Sequence, residues 1–177
     1  GTAGHVVPAL AIADELRDRG VEVSFLGARG RLEAELVPKA GYEVDLLDLS
    51  GIDRKNPLKA ARAAAQAAAA VPKARKLIKA RGADAVLGGG GFVAGPAGVA
   101  ARRLKLPLIL TEADRHLGLA NRLLARRADR LCLAFEIEGV EGERAGMLAR
   151  EAFEGDVELE EEGMRACHGR DGFEERF

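Results

Sequence analysis

The chain has 177 residues, enough for one domain of ordinary size with a tail and too few for two large ones. Apolar residues make up 47% and aromatics only 4%, so Ala, Leu and Val must build the core; 27 Lys and Arg against 28 Asp and Glu exclude a generally basic nucleic-acid binder. Two cysteines, Cys132 and Cys167, are too few for a disulfide framework, no apolar run approaches the ~20 residues of a membrane span, and a reducing cytosol is the expected compartment.

Residues 1–5 form a glycine-containing turn, and 6–19 place Leu10, Ala13 and Leu16 at helical spacing. Gly20 stops that helix, and 21–26 alternate as a strand should. A short helix is predicted over 32–40, a strand over 43–49, and a long Ala-rich helix over 57–81, broken or kinked near Pro72. Strands follow at 83–87, 108–111 and 130–134, with helices at 95–104 and 116–127 between them. Strands separated by helices of this length imply parallel pairing, hence an α/β fold: a Rossmann-like parallel sheet with helices on both faces. A glycine turn that enters a helix ordinarily follows a buried strand. None precedes Gly1, so the domain is expected to lack its first strand.

The balanced charge conceals a split. Residues 136–177 hold 14 of the acids and 5 of the basic residues, a net of −9, which leaves +8 on residues 1–135. Regular apolar segments give way there to a Glu-rich stretch, and such a composition disfavours a packed core. Residues 1–135 are therefore the expected folded domain, and 136–177 an acidic tail, disordered or out of frame.

Four segments can carry chemistry. The turn Gly1-Thr2-Ala3-Gly4-His5 offers close backbone approach and a helix N-terminus to an anion, though its spacing is not that of a dinucleotide fingerprint. His5 is of a type suited to acid–base work near neutral pH, and equally to a plain cap. Gly88 to Gly91 place four glycines after a strand, a backbone cost that suits a ligand loop better than a stable connection, with Pro96 near the helix start. After the fourth strand, Glu112 can orient a hydroxyl or act as a base, and Asp114 can do the same or cap the next helix. The basic helix residues Lys59, Arg62, Lys73, Arg75, Lys76, Lys79 and Arg81 can touch an anionic membrane surface or simply face solvent. Cys132 reads as a small core residue.

Taken together, residues 1–11 (Gly-Thr-Ala-Gly-His-Val-Val-Pro-Ala-Leu-Ala), 32–38, Ser50-Gly51, 90–96 (Gly-Gly-Phe-Val-Ala-Gly-Pro) and 118–122 (Gly-Leu-Ala-Asn-Arg) resemble the N-terminal, acceptor-side half of the MurG-type glycosyltransferases, family 28. The resemblance runs in register over residues 1 to about 135. It implies one half of a GT-B enzyme, two Rossmann-like domains across a cleft. The family moves N-acetylglucosamine from UDP-GlcNAc to undecaprenyl-diphospho-muramoyl-pentapeptide in peptidoglycan synthesis, by direct displacement with inversion. It further implies that Gly1, Thr2, Ala3 and Gly4, with Gly90, Gly91 and Gly95, cradle the acceptor diphosphate, assisted by Asp114 and Asn121. His5 is then a candidate for deprotonating the acceptor hydroxyl, and Glu112 matches the acid of a His-Glu-Gln-Asn motif that here reads Thr111-Glu112-Ala113-Asp114.

The implied partners are UDP-GlcNAc, held by a C-terminal domain not found after residue 135, a lipid-linked diphosphate acceptor, and the inner face of the cytoplasmic membrane. No nucleic acid, metal or cofactor is expected. The alternative class is a non-catalytic diphosphate- or anion-binding module, or a subunit of a split transferase with another acceptor.

Overall fold

A computed structural model describes residues 3–49, 56–140 and 143–144. In chain order the elements are α1 (Ala3–Asp18), β1 (Ser24–Ala28), α2 (Glu33–Lys39), β2 (Glu43–Leu47), α3 (Pro57–Ala80), β3 (Val86–Gly88), α4 (Gly91–Leu104), β4 (Leu108–Glu112), α5 (Leu119–Leu124), β5 (Arg130–Leu133) and β6 (Glu143–Arg144). All pairings are parallel: β1 with β2, and β3-β4-β5-β6 as a second ladder. The α/β class and the helices on both faces agree with the sequence reading. The sheet itself is in two pieces, because β1 and β3 do not pair.

Helical layers hold those pieces together. On one face Val71, Ala74 and Ile78 of α3 and Val93 and Ala100 of α4 bury against Ala28, Leu47 and Leu49, with Leu26 and Val86 packed on the same cluster. On the other, Val6 and Ala13 of α1 pack with Val37 and Tyr42, and Phe25 lies against them. A third cluster joins Ala101, Leu108, Leu110, Leu124, Leu131 and Leu133. Burial on both faces explains why β4, Leu-Ile-Leu-Thr-Glu, begins apolar without alternation. Among the described residues no helix is long and apolar enough to cross a membrane.

Several boundaries differ from the sequence reading. Helix α1 begins at Ala3 and so absorbs Gly4 and His5, which were expected in a loop. Helix α3 runs unbroken through Pro72. A proline forfeits one backbone hydrogen bond and crowds the preceding turn, but the burial of Val71, Ala74 and Ile78 on either side of it outweighs that local loss. Strand β1 is shifted toward the C-terminus of the predicted 21–26, since Gly27 and Ala28 continue the ladder opposite Leu46 and Leu47. Beyond residue 135, Ile137 and Val140 pack on the Leu131 cluster and β6 extends the sheet from β5. The remainder of the acidic segment lies outside the described residues.

Candidate functional site

Parallel βα units deliver their turns to one edge of the sheet, where the strands end and the helices begin. Here that edge collects the first turn of α1, the β3–α4 turn and the β4–α5 turn.

The glycine turn is the most constrained of the three. Gly90, the N-cap of α4, has φ 82° and ψ −166°, a region that side-chain-bearing residues avoid. A Cβ built there would stand 2.7 Å from His5 Cδ2, 3.1 Å from His5 Nε2 and 3.8 Å from Asn121 Nδ2. Absence of a side chain at residue 90 is therefore what lets the imidazole of α1 rest on the backbone entering α4. Gly89 repeats the close approach, its hypothetical Cβ falling 3.7 Å from Ala9 Cβ and 3.9 Å from both the His5 carbonyl and Thr111 Oγ1. Gly91 also has positive φ, 71°, with nothing within 4 Å. Beside the turn, the Arg31 guanidinium stacks 5.8 Å from the Phe92 ring centroid.

The β4–α5 turn is organised by a buried carboxylate. Glu112 is 4% exposed, and its Oε2 accepts from Gly118 N at 2.8 Å and Asn121 Nδ2 at 3.1 Å, while Oε1 accepts from Asp114 N at 3.3 Å. Asn121, fully buried, also donates to the Thr111 carbonyl at 2.9 Å. Both partners of Nδ2 are acceptors, which fixes the orientation of the amide. Its Oδ1 is buried and finds no donor among the described residues. A desolvated acceptor without a donor is costly.

The structure brings together His5, Gly90, Asn121 and Glu112. Gly91 is the first residue of α4 rather than part of a longer loop, and Gly95 lies a turn inside that helix with open space around it. The expected loop to Pro96 is thus cut short: helix geometry starts four residues earlier than predicted, and Pro96 sits beyond the first turn. Asp114 is exposed and does not cap the next helix, because α5 starts only at Leu119 with Gly118 as its N-cap. Ala3 opens α1, Gly4 is exposed, and Gly1 and Thr2 lie outside the described residues. Sequence reasoning missed Gly118 and Thr111 as members of this network. The Gly immediately before an apolar helix was the available signal for the first, and a backbone carbonyl leaves none for the second.

Residues 1–133 match the glycosyltransferase family 28 N-terminal domain. The chain is 50% identical over 135 residues to a UDP-N-acetylglucosamine–N-acetylmuramyl-(pentapeptide) pyrophosphoryl-undecaprenol N-acetylglucosamine transferase of Methylococcus capsulatus, covering 76% of this chain and 38% of that relative. The transferase of the same name from Psychromonas ingrahamii is 43% identical over 135 residues, with the same two shares. Among solved structures, the crystal structure of Acinetobacter baumannii MurG superposes with a TM-score of 0.69 at 33% identity, covering 80% of this chain and 41% of that one. The chain therefore spans well under half the length of the relatives it matches. With three-quarters of its residues aligned to that domain, the chain belongs to glycosyltransferase family 28.

Proposed function

We propose that this chain forms the acceptor-side domain of a transferase that moves N-acetylglucosamine from UDP-GlcNAc to an undecaprenyl-diphospho-muramoyl-pentapeptide. The observation that carries the reading is the contact of His5 with Gly90 beside Asn121, at the strand-end edge of a family 28 domain. Inverting transfer needs an aligned hydroxyl, a base to take its proton, and a stabilised leaving group. His5 takes the proton as the acceptor oxygen attacks the anomeric carbon. Glu112, already accepting three N–H bonds, acts as a positioning residue: it fixes Gly118 and Asn121. Asn121, fully buried, serves the same positioning role by tying Glu112 to the Thr111 carbonyl. The amides at the start of α4, with Gly90 and Gly91 opening the approach, receive the acceptor diphosphate; the resemblance adds Gly1, Thr2, Ala3, Gly4, Gly95 and Asp114 to the same task. Stabilising the UDP leaving group falls to a donor-binding domain such as the rest of the relatives' length supplies.

The same reading places the protein in the cytoplasm against the inner membrane surface. Leu58, 79% exposed at the start of α3 next to Lys59 and Arg62, supports that contact.

The test is amide NMR of this chain with a short-chain prenyl-diphospho-muramoyl-pentapeptide. Shifts at His5, Gly90, Gly91 and Asn121, with none there on addition of UDP-GlcNAc, are expected. A folded sample that ignores the acceptor, or that answers UDP-GlcNAc at these same amides, overturns the proposal.

A further inference from the structure

We propose that Arg31 is a further acceptor-binding residue, one that takes the second phosphoryl group of a lipid diphosphate and so makes this edge prefer a diphosphate to a monophosphate. The inference deepens the function proposed above and rests on it.

Local sequence sets the position of Arg31. Gly27 of β1 lies so close to its neighbours that an added Cβ would stand 2.9 Å from Glu33 Cβ in α2 and 3.2 Å from Val44 Cγ2 in β2. Gly30, at φ 67°, turns the chain just after the strand. The β1–α2 connection is thereby confined to residues 29–32, at the same edge of the sheet as the glycine turn. Ala28, the last residue of β1, and Val93 of α4 are buried in one cluster, which sets this connection beside the first turn of α4.

The two arginines of the connection have different surroundings. Arg29 is held by a carboxylate, its Nε donating to Asp48 Oδ1 at 2.7 Å. Arg31 is exposed and forms no ion pair with a carboxylate among the described residues. Its guanidinium instead lies over the half-buried Phe92 ring, 5.8 Å from the centroid. That contact limits where the side chain sits, yet it supplies no oxygen to the planar N–H fork. A fork held in this way suits an oxyanion, which it can bind through two parallel hydrogen bonds.

Charge points to the same occupant. The first turn of α4 holds no Asp or Glu, and a cation beside the positive end of a helix adds to the local potential instead of offsetting it. A phosphoryl group at the α4 amides meets only part of that potential. In a diphosphate the second phosphoryl group is joined to the first through one bridging oxygen, so it falls next to the place where Arg31 stands over Phe92. A monophosphate has no such group to offer, and the contribution of Arg31 is specific to the longer anion.

The probes are geranyl diphosphate and geranyl monophosphate, titrated at one ionic strength into the full chain, its Arg31→Ala variant and an Arg103→Ala variant. Arg103, exposed near the far end of α4, controls for the general loss of one positive charge. Arg31→Ala is expected to weaken the diphosphate about tenfold or more, the effect of a charge-assisted hydrogen bond, and the monophosphate by less than about twofold. Arg103→Ala is expected to leave both affinities in place, and both variants should unfold in urea at the parent midpoint. Equal weakening of the two probes by Arg31→Ala overturns the proposal, as does a comparable loss of diphosphate affinity in Arg103→Ala. A parent chain that shows the acceptor-induced shifts at Gly90 and Asn121 but no preference for the diphosphate overturns this inference alone. One that ignores the muramoyl acceptor and both probes overturns the proposed function with it.

Discussion

Three glycines of one motif, Gly90, Gly91 and Gly95, should respond to alanine in three different ways, and the reasons are separable in the structure. At Gly90 an added Cβ meets two penalties. The backbone at φ 82°, ψ −166° costs a non-glycine residue roughly 3 kcal/mol, the upper end for such strain. The methyl also falls 2.7 Å from His5 Cδ2, so the imidazole must move. At Gly91 only the first kind of penalty applies, since φ is 71° but no atom lies within 4 Å, and about 1–2 kcal/mol is expected. Gly95 sits inside α4 in open space, where Ala is the better helix former by roughly 0.5–1 kcal/mol, so stability should rise. At about 2–4 °C per kcal/mol for a chain of this size, Gly90→Ala lowers the melting temperature by about 10 °C and Gly91→Ala by about half of that, while Gly95→Ala raises it by a degree or two. Urea unfolding with an unchanged slope checks the ranking, and the His5 ring resonances check its cause. A Gly90→Ala variant no less stable than Gly91→Ala, or with His5 resonances unmoved, refutes the placement of the imidazole on the glycine turn.

The other predictions concern neighbouring parts of the fold. Burial, reinforced by the Asp14 carboxylate that accepts its hydroxyl at 2.6 Å, pushes the Tyr42 phenol from 10.0 up to about 12. The unfolded chain thus releases this proton first, so the associated stability is complete below pH 10 and is lost as pH rises toward 12; Tyr42→Phe should flatten that alkaline limb in pH-dependent denaturation, and an unchanged slope counts against it. Glu112→Gln exchanges a lone-pair acceptor for a donor facing N–H groups and should cost about 1–3 kcal/mol in urea titrations, whereas the exposed Asp114→Asn should lie within about 0.5 kcal/mol of the parent. Gly98→Ala places a methyl 2.5 Å from Leu124 Cδ1 and should destabilise by about 1–3 kcal/mol despite its better helix propensity; adding Leu124→Ala should cost less than the two single changes together, and simple additivity would show that the contact is not the cause.

The alternation of elements was legible because each carries its own period: Leu10, Ala13 and Leu16 for α1, and the apolar run Leu108-Ile109-Leu110 for a strand covered on both sides. Boundaries were less legible where glycine is ambiguous. Gly91 and Gly95 look alike in sequence, yet α4 starts at the first of them, because the turn is closed by Gly90 alone and the buried face of Val93, Ala94 and Ala97 pulls the following residues into the helix. Pro72 reads as a breaker when only local cost is counted, and the packing of Val71, Ala74 and Ile78 reverses that sum. The approach of His5 to Gly90 could not be read, since it depends on two elements 85 residues apart being brought to one sheet edge.

The carboxylate of Glu112 shows how a residue singled out by type acquires a role only from its surroundings. An acid at a strand end is open to two readings, a base for the substrate or a support for the turn. Buried to 4% exposure, an ionised carboxylate must be compensated, and here three N–H groups do so: two from the backbone of the β4–α5 turn and one from Asn121. Those donors would be left without an acceptor if the two carboxylate oxygens were removed. The same bonds orient Asn121 so that its remaining oxygen lacks a donor, next to the glycine turn on which His5 rests. Glu112 therefore acts on the turn, and under the function proposed above the proton-accepting task falls to the imidazole of His5. The glycine turn and the buried carboxylate are thus linked through α1, whose His5 and Ala9 lie against Gly90 and Gly89.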